Sequence, residues 1–415
     1  MSEDMTPSRH LKTLTDSIFL ISFPFGLLYF ALPIFGKQMG ASALAIAGLY
    51  SAFSLMTVLL RPVVGWALDR YGRRPFLLGG LAGYLLANLT FLWANNISIL
   101  YLARITQSIG SALTWLAAYA IVSDLSSPDK RGRNFGQIEQ ASSRAILVGV
   151  FVFFGIHMAI DNWLNTAADS MQVAWMVSFG LFAGLGVYAI WQVRGLLETG
   201  DAQGEDSIWS SFRATWGKIS RPLLILMAIV FLTSAAFQAV SPLVLIYLQE
   251  RFDASLFELA WAYFPMALVW AFLPSRMGTI GDRLGRKLPM AVGLLISSAV
   301  ILVLPHAPSL WLLALLWAVE ALAFTASVPA EEALVADLSP SEERGTSFGL
   351  YAFASGLGAV IGPLIGGWLY DQVGHTAPFV FTSALAFLGA VLIVVLVREP
   401  ERSATSGSGP DIPQN

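Results

Sequence analysis

The chain is 415 residues long, 56% hydrophobic and only 12% charged, with a formal net charge of −3 and a mean hydropathy of +0.67. Charged residues run at about half the share usual in a soluble domain, which excludes a soluble fold; disorder and nucleic-acid binding, which need low hydrophobicity or a basic field, go with it. With no cysteine in the chain, disulfides, thiol catalysis and thiolate metal sites are excluded as well.

A helix crosses the roughly 30 Å hydrocarbon core in about 20 residues. Apolar runs of that length lie at about 15–36, 42–64, 76–95, 98–122, 135–157 and 172–193. Six more follow at about 222–249, 256–275, 288–306, 309–335, 345–370 and 377–397. The first run is too long for a secretory signal and lacks a small-residue cleavage site, so it reads as a span. The expectation is an all-α membrane protein of twelve transmembrane helices with no soluble domain. Counting Lys and Arg in the loops with the N-terminus inside puts 20 of the 24 on the cytoplasmic side. Lys37 and Arg251 fall outside, and Arg104 and Arg144 lie within spans. This bias sets both termini in the cytoplasm.

The segment 194–221 is the longest polar stretch between spans. Trp209, Phe212, Trp216 and Ile219 recur there at helical spacing with Arg213 and Lys218 between them. That spacing predicts a short helix on the membrane surface, with a mobile linker as the alternative. The tail over 399–415 is rich in Ser, Gly and Pro and reads as disordered.

Two loops recur at one fixed offset of 213 residues. Gly65, Asp69, Arg70, Gly72, Arg73 and Arg74 reappear as Gly278, Asp282, Arg283, Gly285, Arg286 and Lys287. Asp124, Arg131 and Gly136 reappear as Asp337, Arg344 and Gly349. The chain therefore reads as a duplicated six-helix unit, over 1–193 and 222–398, with the halves related by a pseudo-two-fold axis along the membrane normal. Such parallel halves enclose a central cavity and work by rocking.

At these residues the chain resembles the major facilitator superfamily, in its bacterial twelve-span, efflux-like form. The 65–74 segment and its copy look like that superfamily's signature loop between spans two and three. Arg104-Ile-Thr-Gln107-Ser108-Ile-Gly110 resembles a second family motif, with Ser108 where glycine is usual. A Gly-Pro motif typical of drug/proton antiporters is absent from span five, where Gly149-Val150 stands. A related string over Gly358–Gly367 lies in span eleven instead. The resemblance implies transport of a small-molecule substrate in the cell (inner) membrane, no cofactor, and a chain that works as a monomer.

The signature loop is read as a cytoplasmic gate. Small residues let helices approach closely in lipid, so Gly65 and the stripe Gly358, Gly362 and Gly366 would bring spans two and eleven together. Asp69 would then reach the positive N-terminus of span eleven. Arg73 would bridge Asp69 to Asp124, and Arg70, Asp282, Arg283 and Arg286 complete the set. The alternative is that these arginines serve topology alone.

Charges within spans cost roughly 2.5–3.5 kcal/mol each on insertion scales and so face cavities or partners. Glu320, Glu139, Arg104 and Arg144 are the candidates, drawn as one neutral network of two anions and two cations. Glu320 is read as the proton-coupling carboxyl and Glu139 as second choice, with a locked salt bridge as the alternative for Glu320. Arg104 serves coupling, substrate positioning or a bond to carbonyls; Arg144 attracts an anionic group or neutralises a carboxylate. Glu331 and Glu332 are expected at the aqueous surface.

In the superfamily, spans one, four, seven and ten line the cavity. On them lie Phe23, Tyr29, Gln107, Trp115, Tyr119, Gln238, Trp317 and Phe324, each with helix packing as its alternative. An aromatic lining with few charges suits an amphipathic or aromatic solute. No Walker loop, nucleophile cluster or metal-ligand spacing occurs, so ATP-driven transport, enzymatic catalysis and a metal site are not expected. The expected function is proton-coupled export of an organic solute. An uptake symporter or facilitator, or a receptor or membrane enzyme on the same scaffold, are the alternatives.

Overall fold

A computed structural model describes residues 7–127, 130–164, 167–196, 220–273, 285–339 and 344–397. Among the described residues every regular element is helical. The first half comprises α1 (Pro7–Gln38), α2 (Ala43–Tyr71), α3 (Arg74–Leu92), α4 (Ile97–Leu125), α5 (Arg131–Leu164) and α6 (Ala167–Val193). The second comprises α7 (Arg221–Val240), α8 (Val244–Phe252), α9 (Leu256–Phe272), α10 (Lys287–Val303), α11 (Leu310–Asp337), α12 (Arg344–Gln372) and α13 (Ala377–Leu396). The expected surface helix over 194–221, the disordered tail, Asp282 and Arg283 lie outside the described residues, as does the side chain of Asp69.

Helix ends follow from sequence. Ser42, Asn96, Ser220 and Ser309 cap α2, α4, α7 and α11 through their side-chain oxygens. Ser255 and Glu258 form a reciprocal capping box at the start of α9. One element departs from expectation: the seventh span is not continuous. It breaks at 241–243, where Pro242 removes a backbone donor, and resumes as α8. Counting α7 and α8 as one crossing gives twelve. Eleven are long and apolar enough to span a bilayer, and α9 is a shorter apolar helix of 17 residues.

The duplication is visible in packing. In the first half α1 packs on α5 and α6, α2 on α4, α3 on α4 and α6, and α5 on α6. Each pairing recurs in the second half, as α7 with α12 and α13, α9 with α11, α10 with α11 and α13, and α12 with α13. These are two six-helix bundles of one design. The largest contact between them runs along α2 and α12.

Where the core lies decides the shape. One buried apolar cluster joins the bundles: Phe30, Ile34 and Ala47 of the first half with Leu245, Tyr263 and Leu313 of the second. All belong to the face opposite the chain ends. At the face bearing the chain ends and most of the basic residues, here the basic face, the clusters separate. Leu14, Leu68 and Ile121 pack within the first bundle, and Leu226, Met290 and Leu334 within the second. Apolar burial thus holds the bundles together on one side and leaves them parted on the other.

Candidate functional site: a cavity between the bundles

The opposite face is closed by polar as well as apolar contacts. Lys37 at the end of α1 pairs with Glu250 of α8, across the two bundles. Glu250 also accepts from the Tyr370 hydroxyl at 2.5 Å and lies 3.5 Å from His375 Nδ1. Asp371 takes the backbone N–H groups of Ala43 and Leu44 at 3.1 and 2.9 Å. A carboxylate from one bundle thereby satisfies two free donors at a helix start of the other.

At the basic face the signature-loop residues pair within each bundle. Arg73 Nε lies 3.2 Å from Asp124 Oδ2, and its Nη1 donates to the Leu68 carbonyl at 2.7 Å. Arg286 and Asp337 repeat the ion pair at 3.4 Å. Gly72 and Gly285 both have positive φ, +86° and +91°. Only glycine turns there freely, so the chain can leave one helix and aim the following arginine back at it. Arg70 departs from the expected gate: its guanidinium sits 5.6 Å from the Trp66 ring and 6.0 Å from Tyr71, on an exposed surface.

The expected meeting of Gly65 with the glycine stripe of span eleven is overturned. Among the described residues nothing lies within 4 Å of a Cβ placed on Gly65. Gly358, Gly362 and Gly366 instead face α7, where a Cβ would meet Ala235 N and O and Ala239 O at 2.7, 2.3 and 1.9 Å. Close approach between α12 and α2 uses Gly356 and Gly367, against Val58 and Leu44. A small-residue stripe marks close approach but not the neighbour, and α12 carries two such faces.

Two adjoining cavities occupy the interior. One, of about 220 Å³, is lined by Tyr29, Gln238, Trp270, Trp317, Glu320 and Phe324 among others. The second, of about 310 Å³, extends from Gln238 and Phe324 to Glu331 and Tyr351. Phe237 and Phe324 stand edge to face at 5.7 Å where the two adjoin. Among the described residues no basic side chain lines either cavity.

Five of the expected residues meet in the smaller cavity: Tyr29, Gln238, Trp317, Glu320 and Phe324. Glu320 is 8% exposed, and its Oε1 accepts from Ser297 Oγ at 3.4 Å. The four-charge network does not form. Arg104 turns toward α2, donating to the Leu49 carbonyl at 3.2 Å and to Gln107 at 2.8 Å, with Phe53 and Tyr50 beneath it at 4.5 and 5.1 Å. Glu139 accepts from Tyr119 near the basic face. Arg144 is exposed on α5. Each charge sits on a different helix face, so depth alone did not bring them together.

Phe23 belongs to the core of the first bundle, edge-on to Phe19 at 5.1 Å. Trp115 and Tyr119 stack obliquely at 5.7 Å toward the basic face, outside the smaller cavity. Glu331 is half-buried beside Tyr351 of α12 rather than on the open surface, whereas Glu332 is exposed as expected. Phe237, Trp270 and Met266 line the cavity unannounced, apolar residues among many on their helices.

A family model described as Major Facilitator Superfamily matches residues 17–279 and 271–413. The chain belongs to the Major Facilitator Superfamily. It is accordingly a multi-pass membrane protein of a transporter family. It is 33% identical over 146 residues to the quinolone resistance protein NorA of Staphylococcus aureus. That match covers 34% of this chain and 37% of NorA. Multidrug resistance protein 2 of Bacillus subtilis is 25% identical over 391 residues, 92% of this chain and 94% of the relative. Among solved structures the chain resembles a peptide transporter, POT, in complex with sulfate, with a TM-score of 0.70 at 16% identity over 92% of this chain and 93% of that one. The human organic anion transporter MFSD10 (TETRAN) gives 0.62 at 20% identity over 94% of this chain and all of that one. Both likenesses carry the fold.

Proposed function

We propose that this chain exports an amphipathic or aromatic organic solute from the cytoplasm in exchange for protons, with Glu320 carrying the proton. The observation behind the reading is a buried carboxyl group on an aromatic cavity wall whose hydrogen-bond partner is a serine hydroxyl rather than a cation. A carboxylate held by arginine is locked in one charge state; one held by a hydroxyl is free to change. As the cavity alternates between dry and wet, such a group takes up a proton on one side and gives it back on the other. Solute and proton then compete for one site, which couples their opposite flows.

The basic face is cytoplasmic in this reading, so the bundles part toward the cytoplasm and the solute enters there. The resistance for which NorA and Multidrug resistance protein 2 are named supports export over uptake. Aromatic walls supply the binding surface, since ring contacts tolerate many planar solutes. The motif pairs at Arg73 and Arg286 brace each bundle as it rocks, and the chain acts as a monomer in the cell membrane.

Reconstituted protein tests the assignment. Solute added after a pH jump is expected to release protons, and Glu320→Gln to abolish that release while leaving solute counterflow intact. Undiminished release in Glu320→Gln overturns the role of Glu320. Absence of counterflow in the unaltered protein, for a solute that binds, overturns transport and favours a receptor.

A further inference from the structure

Among the described residues the 310 Å³ cavity is lined by the second bundle alone. Its lining comes from α7, α10, α11 and α12, all of the second bundle, whereas the smaller cavity also takes Tyr29 from α1. Its wall is mainly apolar, with Val230, Met290, Leu294 and Val328, but a row of hydroxyls runs along it: Ser234, Ser297, Ser327 and Ser355, with Tyr351 and Glu331 at the basic-face end. Ser234 donates to the Ser355 carbonyl at 2.7 Å, Ser327 to Ala323 at 2.9 Å and Ser355 to Ala352 at 3.2 Å. Each of these hydroxyls spends its proton on the backbone, which leaves its lone pairs to accept from water. A cavity of this size has room for several waters at about 30 Å³ each, and its hydroxyls, Glu331 and Gln238 offer them polar partners. Ser297 lines this cavity and also donates to Glu320. The passage therefore has one carboxyl group, Glu331, in its wall and reaches a second, Glu320, through the Ser297 hydroxyl.

We propose that this polar passage is a proton route, with Glu331 as a second proton-bearing site between Glu320 and the basic-face water. The inference rests on Glu320 being the coupling group. The Glu320 carboxyl gives its proton to the Ser297 hydroxyl, which releases its own to water in the passage; the proton moves along the waters, is taken up by the Glu331 carboxylate and passes to bulk. Only O–H bonds break and form, and no co-reactant is needed. Phe237 and Phe324 partition this route from the aromatic cavity, so the proton and the solute have separate ways out.

Among the described residues the titratable groups around each end are few. Glu331 faces the Tyr351 hydroxyl of α12, with Glu332 as its neighbour on α11. Glu139 of α5 lies within electrostatic reach of Glu332, and Arg61 of α2 within reach of the Tyr119 bonded to Glu139. Glu320 faces Ser297 of α10 and lies within reach of Tyr29 of α1. Acidic groups crowd the outer end, which draws protons out of the bundle.

The chain lacks cysteine, so single cysteines report on water directly. In purified protein, Ser327→Cys is expected to react with a small charged methanethiosulfonate at least tenfold faster than Ala386→Cys, placed in the solid core. In proteoliposomes Glu331→Gln is expected to slow solute-induced proton release about tenfold with counterflow unchanged, and Tyr351→Phe to slow it less. Equal labelling of the two cysteines, or release at the normal rate in Glu331→Gln, overturns the route. Normal release in Glu320→Gln would instead remove the coupling reading itself, while the labelling result would still report whether the passage is wet.

Discussion

Arg104 shows how much a single residue can reveal and conceal. An arginine two turns into an apolar helix is conspicuous in the sequence, and its buried charge calls for a partner. The partner is not an acid. A carbonyl, an amide oxygen and two aromatic faces share the guanidinium. Gln107 stands out beside it in the same motif, but the carbonyl and the rings do not, since every residue has a carbonyl and α2 has several rings. Only a planar donor fork serves the two oxygens and the rings at once. Arg104→Lys should therefore lower stability by about 1–2 kcal/mol, the scale of one or two lost charged hydrogen bonds. Thermal melts should show a lower Tm with solute Kd changed by less than about twofold. A tenfold weaker Kd at unchanged Tm would put Arg104 in the solute site.

Among the helices, α12 is the most constrained. Gly358, Gly362 and Gly366 meet α7 while Gly356 and Gly367 meet α2. Gly366→Leu would drive its Cβ to 1.9 Å from the Ala239 carbonyl oxygen, a backbone atom that cannot step aside. Loss of the folded monomer on size-exclusion chromatography is the expected result. Gly65 gives the contrast, since a side chain there meets open space. Gly65→Leu should fold normally yet slow transport at least tenfold, because that space must close when the basic face shuts. Normal turnover in Gly65→Leu would show that the cleft never closes around it. The spacing of small residues made these helices legible as close-packed. It did not say which neighbour each face meets, because one turn of a helix offers glycines to two partners. Glu331 was hidden for a similar reason: its distance along α11 suggested the open surface, but Tyr351 of α12 lies beside it.

At the scale of the molecule, hydropathy and the repeat already contained twelve crossings and two like bundles. The length of apolar runs follows from bilayer thickness, and a fixed offset between motifs follows from duplication. The state of the cleft was not legible, since it depends on contacts between residues hundreds of positions apart. The Lys37–Glu250 pair is one of these. Lys37→Glu sets like charges against each other and should shift the balance toward opening of the opposite face roughly fivefold, within the usual range for partly exposed pairs. Spin labels at Val63→Cys and Phe353→Cys should report a shorter basic-face distance. Reversing both charges, Lys37→Glu with Glu250→Lys, should restore the original distance; failure to do so would assign the shift to something other than this pair.

Lys37 and Glu250 are separated by 213 residues, the interval of the repeat itself. They are one and the same position counted in the two copies, so they meet where the pseudo-symmetry axis leaves the molecule. On a true axis a side chain confronts its own image. Two unlinked, identical subunits would thus oppose lysine to lysine or glutamate to glutamate at this spot. Attraction there demands that the image differ from the original, a freedom that a homodimer lacks and a single fused polypeptide has.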